Sequence, residues 1–196
     1  MYQKLKNFVN IIRKKTDFKP KTAIVLGSGL GGYAHKLRVE AEVSYREIEG
    51  FPVSTVAGHE GKFLFGYIKD TPVVMMQGRV HYYEGYDMID VVLPIRLMGM
   101  LGADTIFLTN AAGGINRDFT PGDLMLITDH IPSFVPSPLR GANIDELGTR
   151  FPDMSRVYDE ELCEKVRVEA KKQDILLREG VYVQAQGPNY ETPAEI

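Results

Sequence analysis

The chain has one cysteine, Cys163, no tryptophan and four histidines among its 196 residues. A single thiol cannot close an internal disulfide, which fits a reducing compartment. Scattered histidines and one distant cysteine give no spacing that suits a zinc site, so no metal is expected. No apolar run approaches the roughly 18 residues needed to cross a bilayer. Charge of neither sign prevails: 23 Lys and Arg stand against 26 Asp and Glu, net −3. Such a balance gives no global attraction for nucleic acid or an anionic membrane, and neither is expected as a partner. Internal repeats and low-complexity tracts are also lacking. At 44% hydrophobic and 25% charged the composition is globular, which excludes disorder, collagen and coiled coil. Residues 1–15 carry five Lys and Arg among Leu5, Phe8, Val9 and Ile12. Those apolar positions fall at i, i+3, i+4 and i+7, an amphipathic helix and not a signal peptide. These features predict a soluble, cytoplasmic protein, with 1–196 as one domain.

Thr22–Leu26 is a short apolar run bounded by glycine and reads as a buried strand. Val39–Tyr45 alternates weakly, as a second strand. Lys62–Ile68 and Pro72–Gln77 flank Lys69-Asp70-Thr71, which predicts a hairpin with a tight turn. Residues 86–101 are apolar on most faces and predict a buried helix, despite Pro94 inside it. Asp104–Asn110, Asp123–Thr128 and Val181–Ala185 read as further strands, and Tyr158–Gln173 as a charged surface helix. The stretch 131–155 holds prolines 132, 136, 138 and 152 and predicts a long irregular segment, of the kind that usually carries function. Alternating strands and helices predict an α/β fold with a mostly parallel or mixed sheet. Thr192-Pro193-Ala194-Glu195 has an N-cap, a first-position proline and a third-position acid, the signature of a helix start. Because one turn does not nucleate alone, the expectation is a chain cut short at its C-terminus.

Four segments bear chemistry. Gly27-Ser28-Gly29-Leu30-Gly31-Gly32 follows a strand directly, and glycine-rich loops there aim backbone N–H groups at oxyanions. Gly27, Gly29 and Gly32 also satisfy G-x-G-x-x-G, so a dinucleotide reading and a purely structural turn both stay open. Glu40 and Glu42 fall inside the next strand and Glu47 and Glu49 after it, a weak match for the ribose-binding acid. In Gly78–Tyr86, Arg79 and His81 alternate along an extended chain and can face one side as an anion clamp. A solvated arginine and a packed histidine are the bland equivalent. Thr109–Gly114 supplies small residues at a strand end, or is an ordinary turn. Gly187–Thr192 sets Tyr190 to stack on a flat ring and Glu191 to accept ring N–H bonds, or is an exposed loop.

Taken in order, seven segments resemble the trimeric, low-molecular-mass purine nucleoside phosphorylases. They are VLGSGLGG (25–32), GHEGKFLFG (58–66), GRVHYYEGY (78–86), LTNAAGGIN (108–116), PGDLMLITDHI (121–131), RFPDMS (150–155) and GPNYETPAE (187–195). The resemblance implies a three-layer α/β/α fold of phosphorylase and nucleoside-hydrolase type, with a central mixed sheet flanked by helices and its last part missing. It implies cleavage of inosine and guanosine, ribo- or deoxyribonucleosides, by inorganic phosphate as co-substrate, with no cofactor, in a homotrimer serving purine salvage. Ser28, Arg79 and His81 match the family's phosphate ligands, with the backbone N–H of Ala111. Tyr83 matches the ribose tyrosine and His59 a histidine near the ribose 5′ end. Phe151 matches a phenylalanine lent to the neighbouring subunit's ribose pocket. Tyr190 and Glu191 match the aromatic and acidic purine contacts, with tyrosine at 190 where many members have phenylalanine. The family's asparagine at the purine imidazole, a second phosphate serine and a further histidine have no counterpart within 1–196.

Three other readings remain: a methylthioadenosine phosphorylase-like enzyme, an inactive remnant that binds phosphate or nucleoside, and a nicotinamide-dependent oxidoreductase.

Overall fold

A computed structural model describes residues 1–54, 60–132 and 134–196. The chain divides into two compact units, Met1–Ala111 and Ala112–Ile196.

The first unit is built on a five-stranded mixed sheet. Its strands are β1 (Thr22–Leu26), β2 (Arg38–Ser44), β3 (Lys62–Ile68), β4 (Thr71–Gln77) and β5 (Thr105–Leu108), in the order β2-β3-β4-β1-β5. β2, β3 and β4 form an antiparallel meander, whereas β4, β1 and β5 run parallel. The unbroken apolar runs of β3 and β4 follow from burial on both faces. Leu64 pairs with Met75 and joins Leu26, Leu37 and Val73 in one core, while Phe63 opposes Met76 and Phe65 opposes Val74. Between the hairpin strands the chain turns at Lys69 (φ 53°) and Asp70, and Thr71 already belongs to β4.

Helix α1 (Tyr2–Arg13) buries Leu5, Phe8 and Ile12, the stripe that its spacing predicts. Each such side chain stabilises by at most about 1.5–3 kcal/mol. Arg13 ends the helix and donates from Nη2 to the Leu101 carbonyl at 2.7 Å, tying α1 to the chain beyond α3. The predicted helix over 86–101 is two: α2 (Met88–Val91) and α3 (Leu93–Met100). Pro94 sits in the first turn of α3, where its missing N–H costs nothing.

The second unit is a strand–helix–strand arrangement. β6 (Leu124–Ile131) and β7 (Leu177–Val183) are parallel, joined through α4 (Glu160–Lys172). Asp159 caps α4 by accepting from the Leu162 N–H at 2.8 Å. β7 begins four residues before the predicted start, because Leu177–Gly180 pair with β6 although their sequence is polar and interrupted. Arg178 locks that register, donating from Nε to Asp123 at 2.9 Å and from Nη2 to the Asp118 carbonyl at 3.0 Å. The Thr120 backbone and this guanidinium hold the Asp123 carboxyl below its usual range. Among the described residues, 134–158 are irregular apart from a short 3-10 turn at Asp145–Leu147, as their prolines predict. At 192–196 the expected helix start is a single turn, in which Glu195 accepts from the Thr192 N–H at 2.7 Å.

Candidate active site

Because β4, β1 and β5 are adjacent and parallel, their C-terminal ends lie along one edge of the sheet. Leu26 is level with Gln77, and Val25 with Leu108. The three loops that leave this edge are the glycine-rich loop, the arginine–histidine segment and the Asn-Ala-Ala turn. Open α/β sheets bind ligands at such an edge.

Cross-bonds join the loops. Thr109 Oγ1 accepts from the Gly27 N–H at 2.8 Å and donates to the Val25 carbonyl at 2.9 Å. Glycine is required at 27, since a Cβ there would stand 2.5 Å from the Thr109 carbonyl oxygen. Gln77 Nε2 donates to the Gly31 carbonyl at 3.1 Å, and Arg79 Nη1 donates to the Leu26 carbonyl at 3.3 Å. Arg79 is thus held half-buried at the root of the glycine-rich loop, with Ser28 exposed on that loop. Ala111 is exposed, its carbonyl accepting from Asn110 Nδ2 at 3.1 Å.

His81 caps a 3-10 turn (Tyr82–Glu84) that Gly85 closes at φ 91°. Glu84 accepts from the His81 backbone N–H at 2.7 Å and from His81 Nδ1 at 2.9 Å. This carboxylate is only 2% exposed. With Nδ1 as donor, the ring's other edge presents Nε2. The Tyr83 ring stacks on His81, with centroids 4.8 Å apart and planes 15° from parallel.

Beneath the segment, Tyr45 donates its hydroxyl to the Gly78 carbonyl at 2.8 Å. Burial pushes that phenol well above its ordinary value, so it stays a neutral donor. The Tyr45 ring contacts Phe51 and Phe63, and Phe51 contacts Phe8.

In the second unit, the loops after β6 and β7 carry the remaining residues singled out from sequence. Phe151 is 85% exposed with the Arg150 guanidinium 5.7 Å from its ring centre, and Arg150 donates to the Leu139 carbonyl at 2.7 Å. Tyr190 is 92% exposed and Glu191 beside it is exposed too. His59 lies outside the described residues.

Two features depart from the dinucleotide fingerprint. The glycine-rich loop enters a 3-10 helix (Gly31–Lys36) instead of an α-helix, and β2 pairs with β3, not with β1. Among the described residues no cluster of three or more His, Cys, Asp or Glu side chains is placed to hold a metal. The sequence reading gave no role to Glu84, Ser54, Gln77 or Tyr45, and took Thr109 only as the start of a small-residue strand end. Only Glu84 had a local signal, an acid three residues after His81.

The chain matches the family model described as the phosphorylase superfamily over residues 21–196. It is 46% identical over 185 residues to purine nucleoside phosphorylase 1 of Geobacillus stearothermophilus, covering 94% of this chain and 68% of that protein. It is 44% identical over 199 residues to the purine nucleoside phosphorylase of Rattus norvegicus, covering 99% and 69%. The crystal structure of the Schistosoma mansoni purine nucleoside phosphorylase in complex with acetate superposes with a TM-score of 0.91 at 40% identity, covering 98% of this chain and 73% of that one. A purine nucleoside phosphorylase in complex with ribose-1-phosphate gives 0.92 at 40% identity, with the same coverage.

Proposed function

We infer the function from family membership: the chain belongs to the phosphorylase superfamily and, within it, to the purine nucleoside phosphorylases. Its reaction is phosphorolysis of purine nucleosides to free base and pentose 1-phosphate. The inactive-remnant and methylthioadenosine readings are not favoured, the relatives described above being named purine nucleoside phosphorylases.

The observation that best supports a phosphate site in this chain is the meeting of three loops at the C-terminal ends of β4, β1 and β5. In our proposal Ser28, Arg79, His81 and the Ala111 N–H hold the phosphate there. Arginine suits an oxyanion because its planar fork donates two parallel bonds and stays charged at every working pH. Phosphate oxygen attacks the anomeric carbon as the bond to purine N9 breaks, and that bond's electron pair leaves with the base. The sugar becomes oxocarbenium-like, so an anion fixed beside it stabilises the developing positive charge while fixing the geometry of attack. The reaction as proposed needs no metal or organic cofactor, phosphate being co-substrate.

Tyr83 and His59 are assigned to the ribose, and Tyr190 and Glu191 to the purine, on the resemblance of their motifs. A carboxylate at 191 accepts from the N1–H of a 6-oxopurine, whereas adenosine offers an acceptor there. Inosine and guanosine are therefore the proposed substrates. A homotrimer, with Phe151 reaching the adjacent subunit, and a cytoplasmic location complete the reading. Among the described residues no helix is long and apolar enough to cross a membrane. The family match from 21 to 196 runs through both units, which supports one nucleoside phosphorylase domain over 1–196.

Comparing kcat/KM for inosine, guanosine and adenosine at saturating phosphate tests the substrate assignment. A preference for the two 6-oxopurines is expected; equal or faster use of adenosine overturns it.

A further inference from the structure

We propose that Ser54 is a positioning residue for His81, acting through the Glu84 carboxylate; the inference rests on the phosphate-site reading above. Ser54 Oγ lies 3.1 and 3.3 Å from the two oxygens of Glu84, although the residues are 30 apart in sequence. Glu84 in turn accepts from the backbone N–H and ring Nδ1 of His81. The three side chains form a relay of direction: Ser54 fixes the carboxylate, and the carboxylate fixes the imidazole.

Ser54 is itself held firmly. The Tyr86 hydroxyl donates to the Val53 carbonyl at 2.8 Å and accepts from the Val53 N–H at 3.3 Å, clasping the backbone one residue away. Phe51, three residues back, is locked among Phe8, Tyr45 and Phe63 with ring centres 4.9–5.5 Å away. Aromatic rings have few rotamers to lose, so this anchoring is rigid. Tyr86 and Glu84 come from the same segment as His81. Residues 51–54 are thus bound to the arginine–histidine segment at two points, one of them the functional carboxylate.

The physical need is plain. Glu84 is 2% exposed, and a carboxylate removed from water requires donors. Without the Ser54 hydroxyl the carboxylate rotates toward another donor. That change weakens the bond to Nδ1 and lets the imidazole change tautomer or orientation, misaligning Nε2 toward phosphate.

The test uses the intact protein with Ser54→Ala, Ser54→Thr and Ser54→Val. Thr and Val are near-isosteres that differ in the hydroxyl, so the pair separates the hydrogen bond from packing even if Ala perturbs the fold. Ser54→Ala and Ser54→Val are expected to lower kcat/KM for phosphate about tenfold, the loss of one hydrogen bond to a charged group. The KM for inosine stays unchanged, and Ser54→Thr recovers most of the loss. In parallel, the 15N NMR pattern of His81, assigned by its disappearance in His81→Asn, is expected to lose Nδ1–H tautomer in Ala and Val but not in Thr. Unchanged phosphate kinetics and an unchanged His81 pattern in Ala and Val overturn the inference, as does equal impairment by Thr and Val. Should the unmodified protein release no base with phosphate, the phosphate-site reading fails while family membership stands, and the 15N pattern alone still decides the role of Ser54.

Discussion

The Glu84 carboxylate accepts from both the backbone N–H and the ring Nδ1 of His81, at 2.7 and 2.9 Å, while 2% exposed. One buried anion therefore sets the turn and the tautomer of the residue assigned to phosphate. Glu84→Gln can still accept one bond but brings an NH2 group against a donor. The substitution is expected to cost about 2 kcal/mol, some thirtyfold in kcat/KM for phosphate, with little change in inosine binding. Steady-state kinetics with phosphate varied at fixed inosine checks it. A loss confined to the inosine KM would contradict the assignment.

Close approach of two loops makes a second prediction. In Gly27→Ala the new methyl group would stand 2.5 Å from the Thr109 carbonyl oxygen and 2.7 Å from Asn110 Cα, both backbone atoms. Backbone cannot rotate aside as a side chain can. The expected cost is about 1–3 kcal/mol of stability, together with weaker phosphate binding as the loops separate. Thermal unfolding and phosphate titration of the same variant measure both. A variant that matches the wild type in each shows that the approach is unimportant.

Tyr45 gives a prediction in pH. Its phenol is pushed up by burial, so the folded protein keeps a proton that the unfolded chain releases from about pH 10. Stability from this group is fully present below that pH and is lost as pH rises toward the folded value. Tyr45→Phe removes the bond to the Gly78 carbonyl, costing about 1 kcal/mol at pH 7. It also removes the alkaline penalty, so its deficit against wild type narrows above pH 10. Denaturation at pH 7 and pH 11 reads this directly; a constant deficit refutes it.

Base preference is assigned to Glu191, which stands exposed in the loop after β7. Glu191→Gln replaces an acceptor by a group that also donates. Inosine kcat/KM is expected to fall about tenfold to a hundredfold, and adenosine to gain relative to it. Parallel assays of the two nucleosides decide the matter, and an unchanged ratio removes Glu191 from the base contacts.

Much of the architecture was legible because burial leaves periodic marks. β1, β3 and β4 are unbroken apolar runs since both of their faces are covered, and α1 carries its stripe at Leu5, Phe8 and Ile12. Where periodicity is silent the reading slipped. Pro94 looks like an interruption until it is seen to begin α3, and Leu177–Gly180 look polar until Arg178 is seen paired with Asp123. The arginine–histidine segment stood out by composition, but its supports did not. Ser54 and Tyr45 reach it across 30 and 33 residues, and Thr109 reaches Gly27 across 82. Such contacts exist only after strand order is set, and no local pattern encodes them.

The most direct measurement is hypoxanthine release from inosine with and without inorganic phosphate, with the sugar product identified. Release that depends on phosphate and yields ribose 1-phosphate is the predicted result. Release without phosphate, giving free ribose, would make the protein a hydrolase and contradict the assignment of Ser28, Arg79, His81 and Ala111 to phosphate.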